Sequence, residues 1–64
     1  MIKINGQDLE TSKGTIRELL VELGINNKAV AVEVNLSIVR KKDYVNFLLH
    51  EGDRVEIVNF VGGG

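Results

Sequence analysis

One stretch of the chain carries a complete set of helix signals. Thr15–Glu18 matches a capping box, in which the Thr15 hydroxyl accepts from the Glu18 amide and the Glu18 carboxylate reaches back. Gly24 stands where a helix takes its left-handed C-terminal residue. The apolar residues between these signals share one helical face: Ile16, Leu19, Leu20 and Leu23. The sequence therefore predicts one short amphipathic helix whose apolar face packs in the core.

The segment before this helix predicts a β-hairpin. Ile2 and Ile4 alternate with polar neighbours, a pattern typical of a half-buried strand. Asn5-Gly6 is a strong hairpin-turn signal because both residues tolerate positive φ. We expect the returning strand at Gln7–Glu10, with Leu9 facing inward.

The segment after the helix predicts further strands. Ala29–Val34 is rich in β-branched residues, and its three valines after Ala29 fall on one face. Asn35 begins a turn to a short strand at Ser37–Arg40, with Ile38 or Val39 inward. The pattern from Lys41 to His50 is mixed and indicates a loop with a turn of helix or a short edge strand. A turn at residues 51–53 leads to a final strand at Arg54–Phe60, with Val55 and Ile57 inward.

Strands on both sides of one helix favour an α+β fold, with a mixed sheet of four to five strands wrapped on the helix. The 64 residues are enough for one domain. A chain of this size buries roughly 60% of the surface that its unfolded form exposes. It has no cysteine for disulfide cross-links, so apolar packing and good local structure must stabilise it.

Composition excludes several classes of function. Eight basic residues oppose nine acidic ones, a near-balance that argues against a nucleic-acid partner. No signal peptide or membrane-spanning run is visible, so we expect no membrane association and a cytoplasmic location. With no cysteine and a single histidine, His50, we expect neither a metal site nor a catalytic nucleophile–base pair. We therefore expect a protein that is not itself an enzyme.

Short motifs along the whole chain resemble one known family. They are Asn5-Gly6, Gly14-Thr15-Ile16, Glu18-Leu19-Leu20, Val34-Asn35, Ile38-Val39, the run from Glu51 to Ile57, and Phe60-Val61-Gly62-Gly63-Gly64. Each motif is weak by itself, but their order, spacing and glycine end together resemble ThiS, the sulfur carrier of thiamine biosynthesis. The resemblance implies the β-grasp, ubiquitin-like fold.

The resemblance also implies a function for the last residue. In the family, a partner related to ubiquitin-activating enzymes uses ATP to adenylate the terminal carboxylate, here that of Gly64. A sulfur donor system then converts it to a thiocarboxylate, the sulfur source for thiazole synthase. The carrier is thus a protein substrate with no bound cofactor and no metal.

The end of the chain is the predicted site. We expect a β-grasp domain at residues 1–61 and a flexible glycine tail at residues 62–64, with Gly62 and Gly63 threading partner active sites because glycine has no side chain. A glycine-rich end by itself is more typical of a frayed terminus or a linker remnant. Its position directly after a β-grasp-like final strand favours the functional interpretation.

Two apolar residues near the tail are a predicted partner surface. Val58 and Phe60 should point away from the helix, and exposed apolar side chains often mark interfaces. The alternative is that Phe60 lies under the loop at residues 44–49 as ordinary core.

Two other functions fit the same pattern. The first is a sulfur carrier for another pathway, such as molybdopterin synthesis, tRNA thiolation or amino-acid biosynthesis. The second is a β-grasp binding module with an inert tail.

Overall fold

The computed structural model describes residues 1–10, 14–25 and 29–59. Within these ranges the elements follow one another as β1 (Ile2–Ile4), β2 (Gln7–Leu9), β3 (Gly14–Thr15), α1 (Ile16–Glu22), β4 (Val30–Val34), β5 (Ser37–Val39), a 3₁₀ helix (Lys41–Asp43), β6 (Leu48–Leu49) and β7 (Arg54–Asn59). Five strands form one sheet in the order β2-β1-β7-β4-β5, and β3 pairs with β6.

The first hairpin is confirmed, with a shorter second strand than expected. β1 and β2 pair antiparallel, with Ile2 opposite Leu9 and Ile4 opposite Gln7. Asn5 and Gly6 have φ values of 48° and 86°, so both turn residues are left-handed. Glu10 lies outside the strand.

Helix α1 begins where the capping box predicts. The Glu18 amide donates to Thr15 Oγ1 at 3.2 Å, and the Thr15 amide donates to Glu18 Oε1 at 2.8 Å. Gly24 follows the helix with φ 72°. Leu23 was expected in the core, and that expectation is wrong. It is the C-cap residue, 38% exposed, and its side chain borders an open cleft beside Ile4 and Leu9.

The second hairpin presents opposite faces to the core and to solvent. Val30, Val32 and Val34 are buried, as their alternation predicts. Val39 is the inward residue of β5 and Ile38 the outward one. The strand ends at Val39, one residue earlier than expected.

The mixed region at residues 41–50 contains both structures that its pattern allowed. It forms a 3₁₀ helix, and β6 pairs antiparallel with β3 through Thr15–Leu48 and Gly14–Leu49. Between them Tyr44 is buried in the core. Burial raises the pKa of the Tyr44 phenol, and a hydrogen bond with the Val32 backbone partly offsets this.

The core lies between the helix and one face of the five-stranded sheet. Its buried apolar residues are Ile2, Ile16, Leu19, Leu20, Val30, Val32, Val34, Val39, Tyr44, Leu49, Val55 and Ile57. β7, the last strand, occupies the centre of the sheet, parallel to β1 and antiparallel to β4. A mixed five-stranded sheet packed on one helix confirms the predicted β-grasp fold.

Candidate functional site at the end of the central strand

The strand that leads to the carboxyl end is paired on both sides. On one side its pairing with β4 runs from Val34–Val55 to Val30–Asn59. On the other side the pairing with β1 covers Lys3–Arg54 and Ile4–Val55 only, because β1 ends at Ile4. Beyond Val55, the β1 side of β7 needs another hydrogen-bond partner.

The side chain of Asn5 supplies that partner. The Ile57 amide donates to Asn5 Oδ1 at 2.7 Å, and Asn5 Nδ2 donates to the Ile57 carbonyl at 3.0 Å. The backbone N–H of Asn5 also donates to the backbone carbonyl of Val55 at 2.9 Å. The carboxamide therefore acts as an additional peptide group beyond the end of β1 and extends the pairing of β7 to Ile57.

A second asparagine holds the beginning of the same strand. The Arg54 amide donates to Asn35 Oδ1 at 3.0 Å, and the Asn35 amide donates to the Arg54 carbonyl at 2.8 Å. Asn35 Nδ2 also donates to Asp53 Oδ1 at 3.0 Å. Like Asn5, Asn35 is left-handed, with φ 52°. Sequence reasoning identified both asparagines as turn residues but missed these contacts.

No described residue covers the face of the sheet opposite the helix, where the side chains are exposed or half-buried. Val58 lies there opposite Ala31 and is 54% exposed, as the prediction of an apolar partner surface requires. Ile38, 73% exposed, lies opposite Glu33 on the neighbouring edge strand. Exposed apolar side chains therefore lie on the open face at both β7 and β5. We call this surface the open face; its residues are Lys3, Ala31, Glu33, Ile38, Arg54, Glu56 and Val58.

The open face also carries two acidic residues side by side. Glu33 and Glu56 are directly opposite each other across β4 and β7. In the part of the chain that the structure covers, neither carboxylate has a cation within ion-pair distance. The lysine of β1, Lys3, pairs instead with Asp8 at 2.9 Å. Arg54 precedes Glu56 by two residues on β7 and lies on the same face, opposite Lys3 of β1, so this face carries both acidic and basic side chains beside its apolar ones.

The described residues provide no group of three or more metal-ligating side chains. His50 Nδ1 lies 4.0 Å from Asp53 Oδ2, but that carboxylate accepts a 2.8 Å hydrogen bond from the His50 backbone N–H within a turn.

Among the helices of the described ranges, none has the length and apolar character to cross a membrane.

A comparison of the sequence with known protein families gives a match over almost the whole chain. The sequence profile of the ThiS family matches residues 2–64, which include β7 and the glycine end. This chain belongs to the ThiS family. The resemblance inferred from the short motifs is thereby confirmed.

Individual relatives agree with this assignment. The chain is 44% identical over 66 residues to the sulfur carrier protein ThiS of Bacillus subtilis (strain 168), covering all of both proteins. It is 47% identical over 62 residues to a thiazole synthase of Paramagnetospirillum magneticum. That match covers 95% of this chain but 19% of the synthase, so the similarity concerns a small part of the larger protein.

A solved structure gives the same fold. The crystal structure of ThiS from Geobacter metallireducens superposes with a TM-score of 0.84 at 27% identity, covering 98% of this chain and 97% of that one.

Four of the predicted site residues lie outside the described ranges: Phe60, Gly62, Gly63 and Gly64. Both interpretations of Phe60 therefore stay predictions, as does the boundary between domain and tail. The structure describes the central strand β7, which ends at Asn59 and precedes the predicted glycine site. It also describes the open face on that strand.

Proposed function

We propose that this chain is a sulfur carrier for the thiazole ring of thiamine, and that the carboxylate of Gly64 carries the sulfur. Its ThiS-family membership supports this function, as does the name of the B. subtilis relative that it matches over its full length. The structural observation that carries the proposal is the central, doubly paired strand that precedes the glycine end.

The chemistry requires activation, because resonance and negative charge make a carboxylate a poor electrophile. A carboxylate oxygen attacks the α-phosphorus of ATP, and pyrophosphate leaves. A sulfur nucleophile at the oxidation level of sulfide then attacks the carbonyl carbon, and the carbon–oxygen bond to AMP breaks. The products are AMP and a terminal thiocarboxylate.

In this scheme the chain supplies no catalytic side chain. The adenylating partner, related to ubiquitin-activating enzymes, binds ATP and performs the first step, and a sulfur donor system supplies the second. Because activation consumes ATP, we propose a cytoplasmic location. No cofactor is needed on the carrier itself.

The architecture suits a substrate that reaches into other proteins. The five residues after Asn59 span at most about 17 Å when fully extended, enough to enter a cleft while the domain stays outside. Glycines at the end lack side chains and allow close approach of backbone to a nucleotide. Ordering them has an entropic cost, which binding of the domain must offset.

Thiazole synthase is the proposed acceptor of the sulfur. Two thiazole synthases, from P. magneticum and Magnetococcus marinus, contain a segment 47% and 41% identical to this chain. In these proteins a segment similar to the carrier and the synthase are parts of one polypeptide. Such a fusion is expected when a carrier delivers its sulfur to the synthase.

Intact-mass spectrometry tests the proposal. The chain is incubated with its adenylating partner, ATP and a sulfide source, and it should gain the mass difference between sulfur and oxygen. A variant that lacks Gly64 should give no such product while its circular dichroism spectrum stays unchanged. Absence of the mass change in the wild-type chain, where the B. subtilis carrier is converted by its own enzymes, would refute the function.

A further inference from the structure

The tip of the first hairpin is the only asparagine–glycine pair in the sequence, Asn5-Gly6. In such a pair the backbone nitrogen of the glycine can attack the side-chain carbonyl carbon of the asparagine, because glycine has no side chain to hinder the approach. Both residues are exposed, and a Cβ placed on Gly6 would meet no atom within 4 Å. Water therefore reaches this turn, and ammonia can leave it.

The second hairpin provides an internal comparison with a different residue after the asparagine. Asn35 has φ 52°, against 48° for Asn5, and it is also exposed. Its Oδ1 accepts from the Arg54 backbone N–H on β7, as Asn5 Oδ1 accepts from Ile57 on the same strand. Asn35 is followed by Leu36, whose branched side chain hinders attack by its own backbone nitrogen. The two asparagines should therefore differ in reactivity although their turns are alike.

In the folded chain the Asn5 carboxamide is held on β7. Oδ1 accepts from the Ile57 backbone N–H at 2.7 Å, and Nδ2 donates to the Ile57 carbonyl at 3.0 Å. Closing a ring between Asn5 Cγ and the Gly6 nitrogen turns the carboxamide away from Ile57 and breaks both hydrogen bonds. Local opening at this end of β7 therefore controls how often the reactive arrangement forms.

We propose that Asn5 is a site of spontaneous deamidation, that its contact with Ile57 protects it, and that its modification weakens the hold on β7. The Gly6 nitrogen attacks Asn5 Cγ, the bond from Cγ to Nδ2 breaks, and ammonia leaves with the proton of the Gly6 N–H. The product is a cyclic succinimide. Water then opens this ring at one of its two carbonyls and leaves aspartate or isoaspartate. One water is consumed, one ammonia is released, and nothing is oxidised or reduced.

Either product disrupts the contact between the turn and β7. In the aspartyl product a carboxylate oxygen replaces the Nδ2 donor and faces the Ile57 carbonyl, so two acceptors meet where a hydrogen bond was. In the isoaspartyl product the backbone of the turn is longer, and the register of Ile4 opposite Gln7 is lost. Because β1 ends at Ile4, the β1 side of β7 then loses its described side-chain partner beyond Val55. The strand before the glycine end is held less firmly, whether or not the chain carries sulfur.

Peptide mapping by mass spectrometry tests the site. The purified chain is incubated at neutral pH, in buffer and in urea, and the mass gain of deamidation is assigned to each asparagine. In urea, where the fold no longer matters, Asn5 should convert before Asn35 and Asn46. Equal rates at Asn5 and Asn35 in urea, or an Asn5 that stays unconverted there, would overturn the proposed site.

Two variants, both compared in urea, test the role of the following residue. Leu36→Gly should make Asn35 convert as fast as Asn5. Gly6→Ala should slow conversion at Asn5, and the unfolded chain removes any contribution from strain at φ 86°. An Asn5 rate that Gly6→Ala leaves unchanged would show that the Gly6 nitrogen is not the attacking group.

A comparison of folded and unfolded chains tests the protection. Since two hydrogen bonds must break, Asn5 should convert at least about tenfold more slowly in buffer than in urea. The Ile57 amide is released by the same opening, so the factor by which folding slows its hydrogen exchange should match the factor for deamidation. Equal rates of conversion in buffer and in urea would overturn the protection.

The variant Asn5→Asp tests the consequence, because it has the covalent structure of the aspartyl product. It should unfold at a lower urea concentration than wild type, and its Ile57 amide should exchange at least about tenfold faster. Asn46→Asp adds the same charge at another exposed position and is the matched control. If Asn5→Asp is as stable as Asn46→Asp, the proposed effect on β7 is wrong.

Discussion

Replacing Asn5 tests whether one side chain fixes the strand that leads to the glycine end. The Asn5→Ala variant loses the hydrogen bonds of 2.7 Å and 3.0 Å to the Ile57 backbone. Each is worth about 1 kcal/mol net. Alanine at φ 48° adds a penalty of about 1 kcal/mol, because it lacks the tolerance of asparagine for this conformation. We therefore expect the free energy of unfolding to fall by about 3 kcal/mol.

That loss is large for a domain of this size, because small proteins have total stabilities of roughly 5–15 kcal/mol. Urea unfolding followed by circular dichroism measures it. Asn5→Gly should lose less, about 1–2 kcal/mol, since glycine is unstrained at this φ. We expect the free energy of unfolding to decrease in the order wild type, Asn5→Gly, Asn5→Ala. The difference between wild type and Asn5→Gly measures the hydrogen bonds, and the difference between the two variants measures the backbone strain.

Hydrogen exchange locates the effect. The Ile57 amide should exchange faster in both variants, beyond the change seen at amides that report global unfolding. Asn46→Ala is the matched control, because Asn46 is exposed, and it should stay within about 0.5 kcal/mol of wild type. An Asn5→Ala variant as stable as this control, or unchanged exchange at Ile57, would refute the reasoning.

Three more predictions concern other parts of the fold. Gly14→Ala should destabilise by about 2 kcal/mol in urea unfolding, because Gly14 has φ 141° and a Cβ there would overlap Glu18 Oε1 of the capping box; a loss below that of the Asn46→Ala control would contradict this. Leu36→Gly should raise stability by about 1 kcal/mol by removing left-handed strain, and a lower melting temperature would contradict it. For Tyr44, burial raises the folded-state pKa above its ordinary 10.0, so the unfolded chain ionises first and stability falls as pH rises above that value. Unfolding measured across this range should show that dependence in the wild type and a weaker one in Tyr44→Phe; equal slopes would contradict it.

Local patterns in the sequence determined the elements and their inward faces. The capping box and Gly24 located α1, Asn5-Gly6 located the first turn, and alternation assigned the buried valines of β4. These succeed because their physical causes act within four or five residues: intrahelical hydrogen bonds, left-handed turn geometry and the two-residue period of a strand. Leu23 shows the limit, since a helical spacing cannot tell where the sheet below the helix ends.

The family and its proposed site residue were also accessible from the sequence, because the motifs and the glycine end are contiguous in the chain. The arrangement around β7 was not. The last strand lies between β1 and β4, and Asn5 bonds to Ile57 across 52 residues of sequence.

Only the tertiary structure decided these contacts, because the pairing of distant strands depends on which edges the packed core leaves free. The tertiary structure alone also showed that Glu33 lies opposite Glu56 across β4 and β7, and that Leu36 is exposed with a positive φ. Sequence alone therefore predicted the glycine end as the functional group of the chain. The fold determined how firmly the strand before it is held and which surface stands beside it, because both depend on hydrogen bonds between residues far apart in sequence.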